Sequence, residues 1–255
     1  MFNYNLFLQR LSNTKLYKNS FIKNEIAKRL LKRLDFIKLN PTKILLVGYS
    51  DNEYYQILKD RFPNVRIHTN TDNCQSFDII ISNSIIHLTH NLSQELDDCF
   101  ELLNDDGILL FSTFGDKSFA TMKEAFASVS NTKHTNDMID MLTWGNTLQS
   151  SRYKTPAIES DLITLTYESI TTLFDDIRAL NEPLADKKMN TGLTGKNLWQ
   201  NFITKFEQNL QLEIEALYGY AVKQKQDNND KAKANSNRVS LDELKKQIAD
   251  FKKNT

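Results

Sequence analysis

The chain has 255 residues, with 32 lysines plus arginines balancing 32 aspartates plus glutamates and 40% hydrophobic residues. This is ordinary for a globular protein with one sizeable core, and the balanced charge excludes a global field directed at nucleic acid or an anionic membrane. Cys74 and Cys99 make neither a disulfide framework nor a metal spacing, no run reaches the roughly 20 apolar residues of a membrane span, and no basic-then-apolar leader opens the chain, so a cytoplasmic location is expected.

Over residues 16–36, Ile22, Ile26, Leu30, Leu31 and Leu34 recur at helical spacing among lysines and arginines, which predicts an amphipathic helix. Lys43-Ile-Leu-Leu-Val47 is a continuous apolar run, the mark of a parallel strand buried on both faces. Gly48 turns the chain, and Ser50 with Glu53 three residues on reads as a capping box that opens a helix to Phe62. A short strand at Val65–His68 and a second buried strand at Asp78–Ser82 follow. A helix from Ser93 to Leu103 is stopped by the turn sequence Asn104-Asp-Asp-Gly107, and Ile108–Thr113 is the next strand.

This alternation predicts a mainly parallel sheet with helices on both faces. Beyond it the pattern predicts helices near 118–129 and 137–150, a strand at Leu162–Tyr167, helices near 168–180 and 195–208, and a last strand over Leu210–Val222. Residues 223–238 are a polar stretch without valine or aromatic residues, and 223–239 read as a disordered linker. Ser240-Leu-Asp-Glu243 then caps a short helix over 240–255, with Leu241, Leu244, Ile248 and Phe251 on one side. The expected organisation is one domain over 1–222, with a helical cap drawn from 1–36 and 168–208.

Phe77-Asp-Ile-Ile-Ile-Ser-Asn83 and Asn104–Gly115 resemble the fourth and fifth strands of class I methyltransferases. His134-Thr-Asn136, Asp140-Met141, Gly145, Pro156, Ile163–Tyr167, Gly192-Leu-Thr-Gly195 and Glu215–Ala221 follow in the order of landmarks of the malonyl-acyl-carrier-protein O-methyltransferases of biotin synthesis. The resemblance covers about residues 7–222. It implies a Rossmann-like α/β sheet with a helical insert over the substrate side, and S-adenosylmethionine as methyl donor. The acceptor it implies is the free carboxyl of a malonyl thioester carried by acyl carrier protein or coenzyme A. On this resemblance Gly48, Ser50, Ser82 and Asn83 face the cofactor, and Tyr17 and Asn83 position the reactants. Arg178, Lys187, Lys188 and Lys196, with Lys205, fall in the inserted helices as a basic rim toward an acidic carrier.

The chain also departs from that pattern. It has 7 glycines in all, Leu46 stands where the family carries an acid, and Ser50 and Asn52 replace two loop glycines. Only residues 49–76 separate the first strand from Phe77, whereas parallel crossovers need roughly a dozen residues each. A shortened strand–helix unit is therefore expected, with loss of the acid that grips the ribose. These departures leave an alternative open, a catalytically inactive pseudo-methyltransferase that binds a protein partner. A malonyl carboxylate is already ionised at neutral pH, so the absence of an acid–base constellation fits either reading. His87 and His90 have a metal-compatible spacing without a third ligand, and no metal is expected.

Overall fold

A computed structural model describes residues 2–13, 17–36, 38–71, 76–89, 91–189, 192 and 194–224. The terminal linker and helix expected from the sequence lie outside these residues, apart from Gln224 and from Lys223, which belongs to the last strand and not to a linker.

The chain opens with α1 (Tyr4–Ser12), capped by the Asn3 side chain, and α2 (Phe21–Lys32), capped by Ser20. A 3-10 turn (Arg33–Phe36) leads to β1 (Lys43–Gly48), α3 (Asn52–Arg61), β2 (Arg66–His68) and β3 (Phe77–Asn83). Next come α4 (Leu92–Leu102), β4 (Leu103–Phe114), α5 (Ala120–Ala127), α6 (Met141–Ser150) and β5 (Lys154–Thr166). The insert carries α7 (Ile170–Ala179) and α8 (Lys196–Phe206), and β6 (Gln211–Lys223) closes the sheet.

The six-stranded sheet has the order β2-β1-β3-β4-β6-β5. β2, β1, β3 and β4 are parallel, and β6 runs antiparallel to both β4 and β5. This is the Rossmann-like class I methyltransferase sheet with its reversed last strand and, among the described residues, with one outer strand fewer. Among the described residues no helix lies between β2 and β3, so the crossover there is shortened, as the residue count requires.

Successive residues of each central strand feed two separate cores, which is why these strands read as unbroken apolar runs. Ile44, Leu46, Ile79 and Ile81 pack under α2, α3 and the insert, whereas Leu45, Ile80 and Leu109 pack against α4 and α6. Leu46 is 2% exposed, so the position expected to carry an acid is committed to the core. Burying a leucine contributes about 1.5–3 kcal/mol.

Several local expectations need correction. Asp51, not Ser50, caps α3, its carboxylate accepting from the Tyr54 N–H at 2.8 Å. Asn104–Gly107 does not interrupt the chain between elements. It is absorbed into β4 as an irregularity that shifts the pairing between Phe77 and Ile79, with Asp106 at φ 61. β5 is far longer than its apolar core, because as an edge strand it alternates half-buried with exposed residues and tolerates Glu159, Ser160 and Asp161. Lys187 and Lys188 lie in the turn between α7 and α8, not in a helix.

Candidate active site

In an open α/β sheet, ligands bind at the carboxyl ends of the strands where the strand order reverses. Here that point lies between β1 and β3, where Gly48 is paired with Asn83 and Asn83 with Ser112 of β4. Gly48 has φ +86, and a Cβ there would overlap the Asn83 carbonyl oxygen. Glycine is required at this turn both for its backbone angle and for the close approach.

Asn83 is fully buried, and its carboxamide is the knot that ties three strand ends. Its Nδ2 donates to the Tyr49 carbonyl at 2.8 Å, and its Oδ1 accepts the hydroxyls of Ser112 at 2.6 Å and Ser84 at 3.2 Å. The Ser84 N–H closes the cluster on the Ser112 carbonyl at 3.1 Å, with Ser84 held in the left-handed region at φ 54. Ser82 is buried within β3. At the switch point Gly48 is exposed and Ser50 half-buried, while Ser82 and Asn83 are buried and tie the strand ends together.

The residues fit S-adenosylmethionine in part. The turn glycine is kept, and the loop backbone after it stands at the switch point. At the far wall β2 runs out into Thr69, Asn70 and Thr71, so no carboxylate follows the strand directly.

A cavity of about 470 Å³ is lined mainly by apolar side chains. Phe119, Met122 and Met138 line it together with Ile177, Arg178 and Leu180 of the insert. Tyr17 stands on its wall and is fixed through its backbone: its N–H donates to Asn181 Oδ1 at 2.9 Å, and its carbonyl accepts from Asn181 Nδ2 at 2.8 Å. Asn136 clamps the same insert loop, donating to the Pro183 carbonyl at 3.1 Å and accepting the Ala185 N–H at 2.7 Å. His134 also lines the cavity, stacked on Phe126 with ring centroids 4.0 Å apart, and burial lowers its pKa.

Of the basic residues expected to face the substrate, only Arg178 lines this cavity, and its guanidinium pairs with Asp175 at 2.7 Å. Lys187, Lys188 and Lys196 are exposed and lie outside its lining, as does Lys205 near the end of α8.

Sequence reasoning missed a buried charge cluster beside the cavity. Glu182, in the loop after α7, sits 2.8 Å from Lys23 Nζ of α2 and 3.4 Å from Nε2 of His87 in the loop after β3. The three side chains are 8–12% exposed. Burial would raise the Glu182 carboxyl, but the Lys23 ammonium and His87 outweigh it and hold it at about 2. Of the three, the sequence singles out only His87, for its spacing to His90, which lies outside the described residues. Among the described residues no group of three or more His, Cys, Asp or Glu could hold a metal ion, and no helix is long and apolar enough to cross a membrane.

No protein-family model matches the chain. Among curated proteins it is 28% identical over 224 residues to malonyl-[acyl-carrier protein] O-methyltransferase 1 of Coxiella burnetii, covering 77% of this chain and 79% of that protein. It is 24% identical over 238 residues to the Legionella pneumophila malonyl-[acyl-carrier protein] O-methyltransferase, covering 79% and 84%. The like-named protein of Nitrosospira multiformis is 31% identical over 157 residues, covering 60% and 50%. The chain is a relative of the malonyl-[acyl-carrier protein] O-methyltransferases.

Proposed function

We propose that the protein transfers a methyl group from S-adenosylmethionine to the free carboxyl of a malonyl thioester borne by acyl carrier protein, an early step of biotin synthesis in the cytoplasm. The observation that carries this reading is the similarity to the Coxiella burnetii enzyme, which runs through 77% of the chain, more than the cofactor half or the insert could supply alone. Residues 1–222 are read as the methyltransferase-like domain, with a helical cap from 1–36 and 168–208.

When bound, S-adenosylmethionine would supply an electrophilic methyl group. Gly48 and Ser50 would hold its methionine end at the switch point, on the scaffold that Asn83 fixes. The malonyl carboxylate is ionised at neutral pH, so the protein has no proton to remove, and its contribution is alignment and exclusion of water. Tyr17 presents an aromatic ring suited to a sulfonium, and Ile177, Arg178 and Leu180 of the insert line the same cavity. Arg178, with Lys187, Lys188 and Lys196 on the outer surface, would steer an acidic carrier toward the mouth.

Titration with S-adenosylhomocysteine in a thermal unfolding assay tests the cofactor half of this reading. A ligand at about 100 times its dissociation constant stabilises by about 2.7 kcal/mol, so a rise in melting temperature is expected. An unchanged melting curve at millimolar ligand would count against it.

A further inference from the structure

We propose that Lys23 and His87 form the subsite that recognises the carboxylate of the acyl substrate, and that Glu182 occupies this subsite while no substrate is bound. This inference rests on the methyltransferase reading above.

Three observations converge on it. First, Lys23, His87 and Glu182 come from three separate elements: α2, the loop after β3 and the insert. They meet near the carboxyl ends of the central strands, where His87 packs edge-on to Phe114 of β4 at 5.9 Å. Second, Glu182 and His87 border space. Glu182 lines the main cavity and also a neighbouring cavity of about 230 Å³, which His87 lines with Leu88, Leu92 and Ile139. Third, His87 has no other hydrogen bond among the described residues, its buried Nδ1 being without a partner, so its Nε2 contact can pass from one carboxylate to another.

A carboxylate is the group this pair of donors suits. Lys23 offers a charged ammonium, and His87 offers a ring N–H where it faces Glu182. The remaining carboxylate on the wall of the smaller cavity, Asp137, is engaged by Lys133. Glu182 is carried by a loop with no regular secondary structure, beside Asn181 at φ 54, so its side chain can leave without unwinding an element. The terminal carboxylate of a malonyl group matches the Glu182 carboxylate in charge and shape. Exchanging one for the other keeps the Lys23 ammonium paired, which avoids the penalty of leaving a buried charge alone. An acetyl thioester has no such group and could not displace Glu182.

The test is calorimetric binding of malonyl-pantetheine and acetyl-pantetheine to the full chain and to three variants. The full chain should prefer the malonyl probe. Lys23→Met should lose that preference by about tenfold or more, and Lys23→Arg should keep most of it. Glu182→Gln removes the resident competitor at nearly constant shape and should tighten malonyl binding severalfold without changing acetyl binding. The proposal is overturned if Glu182→Gln weakens both probes alike, for the cluster is then only a strap between α2 and the insert. It is equally overturned if folded Lys23→Met, checked by circular dichroism, keeps the preference. If the full chain binds S-adenosylhomocysteine but neither probe, the subsite and the malonyl reading both fail while the cofactor reading stands.

Discussion

Asn83 and Tyr49 hold each other reciprocally across the mouth of the sheet: the Asn83 side-chain amide donates to the Tyr49 carbonyl at 2.8 Å, and the Tyr49 N–H donates to the Asn83 carbonyl at 3.0 Å. The loop after β1 is thereby fixed to the end of β3 by protein contacts alone. This makes the asparagine a positioning residue, whose amide is spent on the scaffold.

Replacing it should cost stability before it costs chemistry. Asn83→Ala leaves the Tyr49 carbonyl and the Ser112 hydroxyl without their partner in a buried place, and a loss of about 2–3 kcal/mol is expected. Denaturant unfolding measures this directly. Asn83→Ala with wild-type stability would show that the strand ends are held otherwise.

Gly48→Ala should be damaging for a different reason. The left-handed angle costs a residue with a Cβ about 1–2 kcal/mol, and the added carbon meets the Asn83 backbone, which is not free to move. A lower melting temperature together with weaker S-adenosylhomocysteine binding is expected. By contrast, Asn52→Gly, at the first residue of α3, should leave binding intact or improve it.

How much of this was legible in the sequence depends on the kind of signal. β1 and β3 were readable because strands buried on both faces need apolar residues at every position, and the short stretch 49–76 betrayed the shortened crossover. The Asp51 cap was displaced by one residue from the sequence reading because serine and aspartate cap equally well, and only the geometry of the Gly48 turn decides between them. α1 escaped notice, since it is short and carries a single buried residue, Phe7. The cluster of Lys23, His87 and Glu182 was invisible for a deeper reason. No local pattern links a lysine on a cap helix to a glutamate in the insert, and each alone reads as a solvated charge.

Glu182 gives a pH dependence with a defined sign. Its carboxyl lies at about 2 in the folded protein against 4.5 ordinarily, so it contributes stability that is present above the unfolded value and lost as pH falls from about 4.5 toward 2. Other carboxylates are also lowered, Asp78 and Glu215 among them, so the useful quantity is the difference between wild type and Glu182→Gln. That difference should shrink as pH falls through this window. A difference independent of pH would mean that Glu182 is not ionised in the folded state.

The outer lysines should matter for the carrier and not for the acyl group. Lys187, Lys188 and Lys196 are exposed and do not line the cavity. Changing all three to alanine should slow association with malonyl-acyl carrier protein at low salt, with the deficit fading as salt screens the field. Turnover of malonyl-pantetheine should be unchanged. Equal loss on both substrates would place these residues in the site itself.

The most direct test of the central claim is incubation of the full chain with methyl-labelled S-adenosylmethionine and malonyl-acyl carrier protein, followed by mild base. The expected result is label on the carrier-bound acyl group that base releases as methanol, with none on acetyl-acyl carrier protein. Absence of any base-labile label from a folded protein that binds S-adenosylhomocysteine would contradict the claim.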